Sequence, residues 1–169
     1  IYFGTSTIGL VESKGRKLLN NVVIPQVNIS TGDFEEKVPV DIKMIALFKD
    51  AFRTYRINSN AATICLSGQD LIIRTFEIPV IPQNELRSAV NFEVKKYIPF
   101  KLEELVYDFQ VESDKKSKTS MVLFVGAKKE VLDGYISVAN QLNLKVNAIE
   151  YAAFSLQRFL RLSGAAEAG

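Results

Sequence analysis

The sequence predicts a mixed α/β fold, and three observations carry that expectation. Short runs rich in β-branched and aromatic residues alternate with segments whose apolar positions recur every three or four residues. The strands come partly in adjacent pairs joined by polar turns, which excludes a regular βαβ repeat. The 169 residues are 47% hydrophobic and 24% charged, an ordinary globular composition. A chain of that length buries roughly 70% of its unfolded surface and needs no disulfide or metal to hold it.

Residues 1–11 read as a strand, a turn at Gly4-Thr5-Ser6-Thr7 and a second strand from Ile8. Residues 17–27 resume the extended pattern after Ser13-Lys14-Gly15-Arg16, a hairpin turn. A short strand is expected over 34–40. Asp41 stands in the N-cap position of a helix over 42–56, with Met44, Leu47, Phe48, Ala51, Phe52 and Tyr55 as its apolar stripe. Residues 61–66 and 71–78 are strands around Ser67-Gly68-Gln69-Asp70. Pro79 and Pro82 break the chain. A helix over 83–98 follows, with Leu86, Ala89, Val90, Val94, Tyr97 and Ile98 on one side, and Pro99 closes it. Residues 105–112 and 119–127 form an antiparallel pair. A helix over 128–142, a strand over 144–149 and a helix over 152–162 complete the order, with no repeat or heptad.

Lys plus Arg is 21 and Asp plus Glu is 19, a surplus of two that does not predict nucleic acid or an anionic membrane as partner. Histidine is absent and cysteine occurs once, which removes Ser-His-Asp and Cys-His dyads and His/Cys zinc sites. No apolar run reaches the ~20 residues of a membrane helix, and no secretory leader is visible. Cys65 reads as a small core residue in a reducing compartment, so a cytoplasmic location is expected. The start on Ile1-Tyr2-Phe3-Gly4 and the small-residue tail from Ser163 read as the boundaries of a fragment.

Few residues offer chemistry. Gly4, Thr5, Ser6 and Thr7 form a turn whose amides and hydroxyls suit a phosphate, though an ordinary hairpin turn fits equally. It is no P-loop, since no Lys-Ser/Thr pair or helix follows. The carboxylate pairs Glu35-Glu36, Glu103-Glu104 and Asp108 with Glu112 read as solvated faces. Lys115, Lys116 and Lys118 read as a solubilising hairpin tip. The segment Tyr97, Ile98, Pro99, Phe100, Lys101 and Leu102 is either core or an apolar ledge for a peptide. Lys95, Lys96 and Lys101 rim it, without the aromatic interleaving of a single-strand nucleic-acid surface.

The stretch Ser67 to Pro79, SGQDLIIRTFEIP, resembles a characteristic run of the PilM family, actin-like proteins of type IV pilus assembly. Glu85-Leu86, then Asn91-Phe92-Glu93-Val94-Lys95-Lys96-Tyr97-Ile98-Pro99-Phe100, then Leu102-Glu103-Glu104 and Tyr107-Asp108-Phe109-Gln110-Val111 are similar to the same family without a gap. Phe124 to Glu130 and Ala148 to Leu156 continue the likeness, over essentially the whole chain but only about the first half of the family's length.

The resemblance implies a partial actin/ribonuclease H-like lobe, residues 1–80 with 150–169, and an inserted FtsA-like small subdomain, residues 81–149 with the strand before it. It implies ATP binding between two lobes and a grip on the short cytoplasmic tail of an inner-membrane partner, PilN. Two departures alter this. The family's Asp in Asp-x-Gly-Ser/Thr-Ser is Tyr2 here, and its following Lys is Gly9. A tyrosine cannot order the water shell of Mg²⁺ as a carboxylate does. The expectation is therefore a non-catalytic cytoplasmic scaffold, peripheral to the inner membrane through a PilN-like tail. Gly4, Thr5, Ser6 and Thr7 would be a vestigial nucleotide loop, and Tyr97, Ile98, Pro99, Phe100 and Leu102 the peptide ledge. No metal, cofactor or nucleic acid is expected for these residues, ATP and Mg belonging to a full-length form, and self-association is a further option. The alternatives are an actin-like ATPase whose second lobe is missing, and an FtsA-like division adaptor, which would need an amphipathic membrane helix.

Overall fold

The computed structural model describes residues 1–25, 42–113 and 118–163. The strand expected over 34–40, the Asp41 cap, Lys115 and Lys116 lie outside them. Contacts gather into two compact units, Ile1–Gln69 with Val131–Gly169, and Asp70–Glu130.

The larger unit is built on a five-stranded sheet. Strands β1 (Tyr2–Phe3), β2 (Thr7–Lys14) and β3 (Lys17–Pro25) run antiparallel in sequence, β4 (Ala61–Leu66) joins β1 in parallel and β8 (Lys145–Tyr151) joins β4 in parallel, giving the order β3-β2-β1-β4-β8. Gly15, at φ +61°, makes the tight turn between β2 and β3, a backbone region glycine enters without steric cost. Strand alternation sends Phe3, Ile8, Leu10, Ile64 and Leu66 to one face, where each is buried. Helices α1 (Ile42–Thr54) and α3 (Lys129–Gln141) cover that face, since the Phe3 ring meets Phe48 at 5.8 Å and Tyr135 at 4.5 Å between centroids. Helix α4 (Ala152–Leu162) lies on the opposite face, where the alternate residue Cys65 brings its Sγ 3.8 Å from Ser155 Oγ.

The α1 stripe differs from the expected one. Ile45, Phe48 and Ala51 are buried, whereas Leu47 and Tyr55 are exposed. Residues 44 to 48 are apolar on every side, so the sheet beneath selects the face. Both α1 and α3 end in a left-handed residue, Arg56 and Asn143, after which Ile57 N–H donates to Phe52 O and Leu144 N–H to Ala139 O, each at 2.9 Å.

The smaller unit holds β5 (Ile72–Pro79), α2 (Leu86–Val94), β6 (Leu105–Ser113) and β7 (Thr119–Lys128), with antiparallel order β5-β7-β6. Its core is Phe76, Ile78, Val90, Val94, Ile98, Leu105, Val122 and Phe124. Helix α2 is shorter than the predicted 83–98. Glu85 N–H turns back to Pro82 O at 3.0 Å, and the Lys96 and Tyr97 amides bond three residues back, so both ends tighten out of the α-helix before Pro99. Strand β5 pairs with β7 through eight residues, and α3 packs through Tyr135 on Phe3.

Candidate functional site

The β1–β2 turn stands where phosphate chemistry was expected. Gly4 N–H donates to Thr7 O at 2.9 Å, so the amide that opens the turn is held within it. Thr5 and Ser6 are exposed. Tyr2 pairs with Gly9 across β2 and with Cys65 across β4, and its side chain runs from Gly9 toward Gly4. A Cβ at Gly9 would stand in ordinary contact, 3.4 Å from Tyr2 Cβ, and one at Gly4 would stand 2.8 Å from Tyr2 Cε1. The tyrosine ring thus covers the glycine of the turn. Gly4 cannot take a side chain while the ring stays.

Cys65 beside it is half-buried. Burial pushes its thiol above the ordinary range, with the neighbouring Ser155 hydroxyl working the other way, which is the setting of an unreactive cysteine. Arg158 pairs with Glu150 on the same face and holds the exposed end of α4 to β8. Against desolvation, the hydrogen bonds from Arg158 and Ser155 leave Glu150 below the ordinary glutamate range. Among the described residues no group of three or more Asp, Glu or Cys gathers as a metal site.

The second candidate is the segment after α2, and the structure divides it. Ile98 is buried, and Phe100 and Leu102 pack against the same core. Lys128 Nζ stands 4.4 Å above the Phe100 ring, capping it from the solvent side. Tyr97 is 42% exposed, and its ring stacks on Phe76. Pro99 is exposed. Of the five residues expected to form a ledge, Tyr97 and Pro99 therefore face solvent while Ile98, Phe100 and Leu102 hold the small unit together.

One exposed aromatic was not singled out from the sequence. Phe92 is 70% exposed on α2, with Lys96 Nζ 5.8 Å from its ring centroid. The signal was present: Leu86, Val90 and Val94 mark the buried stripe, and position 92 lies on the far side of it.

The family described as Type IV pilus assembly protein PilM matches residues 1–166. Among solved structures, the chain is similar to a PilM-PilN type IV pilus biogenesis complex, with a TM-score of 0.67 and 21% identity over 90% of this chain and 46% of that one. It is also similar to the cytoplasmic domain of EpsL, an inner-membrane component of the type II secretion system of Vibrio cholerae, with a TM-score of 0.55 and 12% identity over 89% of this chain and 54% of that one. The chain spans about half the length of the structures it matches. At these identities the likeness is one of fold, and it agrees with the mixed α/β class and partial actin-like lobe expected from the sequence. No helix among the described residues is long and apolar enough to cross a membrane. The match over nearly every residue, joined to the two-unit fold, places the chain in the type IV pilus assembly protein PilM family.

Proposed function

We propose that this chain is part of a non-catalytic scaffold of type IV pilus or related secretion assembly. It holds the short cytoplasmic tail of a PilN-like inner-membrane protein, works on the cytoplasmic side and reaches the membrane through that partner. The observation that carries the non-catalytic reading is the Tyr2 ring against Gly4. An anion-binding turn needs inward amides and open space above them. Here the Gly4 amide is bonded to Thr7 O, and the Tyr2 ring stands where a side chain on Gly4 would lie. Family membership supports the assembly role, and the likeness to a PilM-PilN complex supports the class of partner. For docking, the exposed Tyr97 and Pro99 offer rigid apolar surface at low conformational cost.

Calorimetric titration of a synthetic peptide carrying the partner's cytoplasmic tail is expected to give saturable heat, and Mg-ATP is expected to leave the melting temperature unchanged. No heat at high micromolar peptide would overturn the docking role. Protection by Mg-ATP would favour the ATPase reading instead.

A further inference from the structure

The β2–β3 hairpin ends in a tip that neither the turn at Gly4 nor the segment after α2 explains. Every residue from Ser13 to Leu19 is exposed. The turn at Gly15 gathers Lys14, Arg16 and Lys17, with Lys14 directly opposite Lys17 in the register. Like charges so placed repel each other. None of the three is in an ion pair among the described residues. No carboxylate lies between Ser13 and Leu19. The nearest in sequence, Glu12, turns to the core and is occupied by Asn20, Asn58 and Ser59. The whole chain has a surplus of only two cations, so its net charge hides a tip that carries three.

Two leucines stand directly behind these cations. Glu12 pairs with Asn20 and Ser13 with Leu18, which leaves Leu19 as an extra residue, a bulge in β3. Leu18 is 58% and Leu19 46% exposed. Lysines and a bulge on an outer strand guard it against pairing with another chain, but exposed leucines at the same place defeat that purpose. A tip that is both basic and apolar calls for a surface that is anionic above and apolar below.

We propose that the β2–β3 hairpin tip docks on an anionic phospholipid surface. Lys14, Arg16 and Lys17 meet the headgroup phosphates, and Leu18 and Leu19 enter the acyl boundary beneath them. Charge and shape select this occupant. The tip is the convex end of a hairpin, so a protein partner would need a matching acidic cavity, whereas a fluid anionic bilayer presents phosphate over hydrocarbon everywhere. The contact goes beyond peptide docking and does not depend on it, since no second protein takes part. Each cation near an anionic leaflet contributes about fivefold in affinity, which makes the contact reversible.

Co-sedimentation of the intact chain with vesicles, in the absence of any partner peptide, tests this. Binding is expected to vesicles of phosphatidylglycerol and phosphatidylcholine in equal parts, and not to phosphatidylcholine alone. It is expected to be lost in about 1 M salt, where the screening length is about 3 Å. Lys14→Gln with Arg16→Gln and Lys17→Gln should weaken it on the order of a hundredfold. Leu18→Ser with Leu19→Ser should weaken it at least about tenfold and leave its salt dependence in place. Lys49→Gln with Lys145→Gln, two exposed cations elsewhere on the larger unit, should leave it unchanged. The chain has no tryptophan, so Leu18→Trp supplies a single reporter whose emission is expected to shift to the blue on the mixed vesicles. All the changed side chains are exposed, and circular dichroism establishes that each variant is folded. No binding to the mixed vesicles, equal losses from the Lys49 and Lys145 pair, or an unshifted Leu18→Trp emission in the bound protein would overturn the proposal. Capture of a polyglutamate peptide without binding to vesicles would overturn it in favour of an acidic protein.

Discussion

Phe76 on β5 and Tyr97 after α2 stack almost parallel, their centroids 5.2 Å apart and their planes 9° from each other. The same strand also holds the backbone there, since Arg74 Nε donates to Tyr97 O at 3.0 Å. Tyr97 is thus a solvent-facing ring with a structural underside. Tyr97→Ala is expected to lower stability by about 1–2 kcal/mol, the stack together with lost area. Tyr97→Phe should stay within about 0.5 kcal/mol. Its hydroxyl reaches Glu93 Oε1 only at 3.5 Å, the long limit of a hydrogen bond. Urea unfolding measures both. If Tyr97→Ala loses partner peptide with unchanged stability, the ring is a contact and not a clamp.

Phe100 is the sharper divider between core and ledge. It packs on the cluster of Phe76, Val94 and Phe124 with Lys128 above its ring. Phe100→Asp is expected to cost about 3 kcal/mol or more by placing a carboxylate against apolar neighbours. Phe100→Leu should cost less than about 1.5 kcal/mol. Far-UV circular dichroism with urea unfolding checks the pair, and a folded, fully stable Phe100→Asp would return the residue to the surface.

Arg56 sits at φ +52° where the end of α1 turns over. A Cβ is strained there, and glycine is not. Arg56→Gly is expected to stabilise by about 1 kcal/mol, a rise of roughly 2–4 °C in a chain of this size. Asn143, at φ +58° after α3, should gain less on the same change because asparagine tolerates this region. Thermal unfolding followed by circular dichroism compares the two.

Gly4 tests the covered turn. An added Cβ would meet Tyr2 Cε1 at 2.8 Å and the Thr7 carbonyl oxygen at 3.0 Å. Gly4→Ala is therefore expected to cost about 1–3 kcal/mol through overpacking. Adding Tyr2→Ala should recover only part of that, because the second neighbour is backbone and cannot swing aside. Full recovery in the double variant, by urea unfolding, would show that the ring alone closes the turn.

Much of the fold was legible because its signals are local. Strand β4 and helix α4 fall where alternation and apolar spacing placed them, and Pro79, Pro82 and Pro99 punctuate the chain as proline must. The α1 stripe was misread because Met44 to Phe48 are all apolar, so residue type alone does not choose which face is buried, and the sheet does. The ledge was legible as apolar but not as divided, since the register of β6 and β7 beneath it decides which side chains turn inward. Tyr2 and Gly9 were visible as two separate departures. That one ring spans the two glycines depends on a pairing between β1 and β2 that residue identity does not contain.

Glu12 shows the same limit and yields a pH test. Alternation with Ile8 and Leu10 puts it on the core face of β2, where it is only 8% exposed. Asn20 Nδ2 donates to its Oε2 at 2.6 Å, and Asn58 N–H and Ser59 Oγ–H donate to Oε1 at 3.0 and 2.9 Å. The carboxylate thus ties β2 to β3 and to the segment leading into β4. The Asn20 bond first, then the Asn58 amide and the Ser59 hydroxyl, hold its pKa below the ordinary glutamate value, against the opposing effect of desolvation. A pKa depressed in the folded state means that the unfolded chain binds the proton more readily. The resulting stability is fully present above the ordinary glutamate range and is lost as pH falls through the lower, folded value. Glu12→Gln removes the charge that the three donors satisfy, so it should be less stable than the wild type near neutral pH. The gap between the two urea midpoints is expected to close as pH drops below the ordinary glutamate range, with other titrating groups cancelling in the difference. A gap that stays constant down to the acid limit would show that Glu12 contributes through shape and not through its charge.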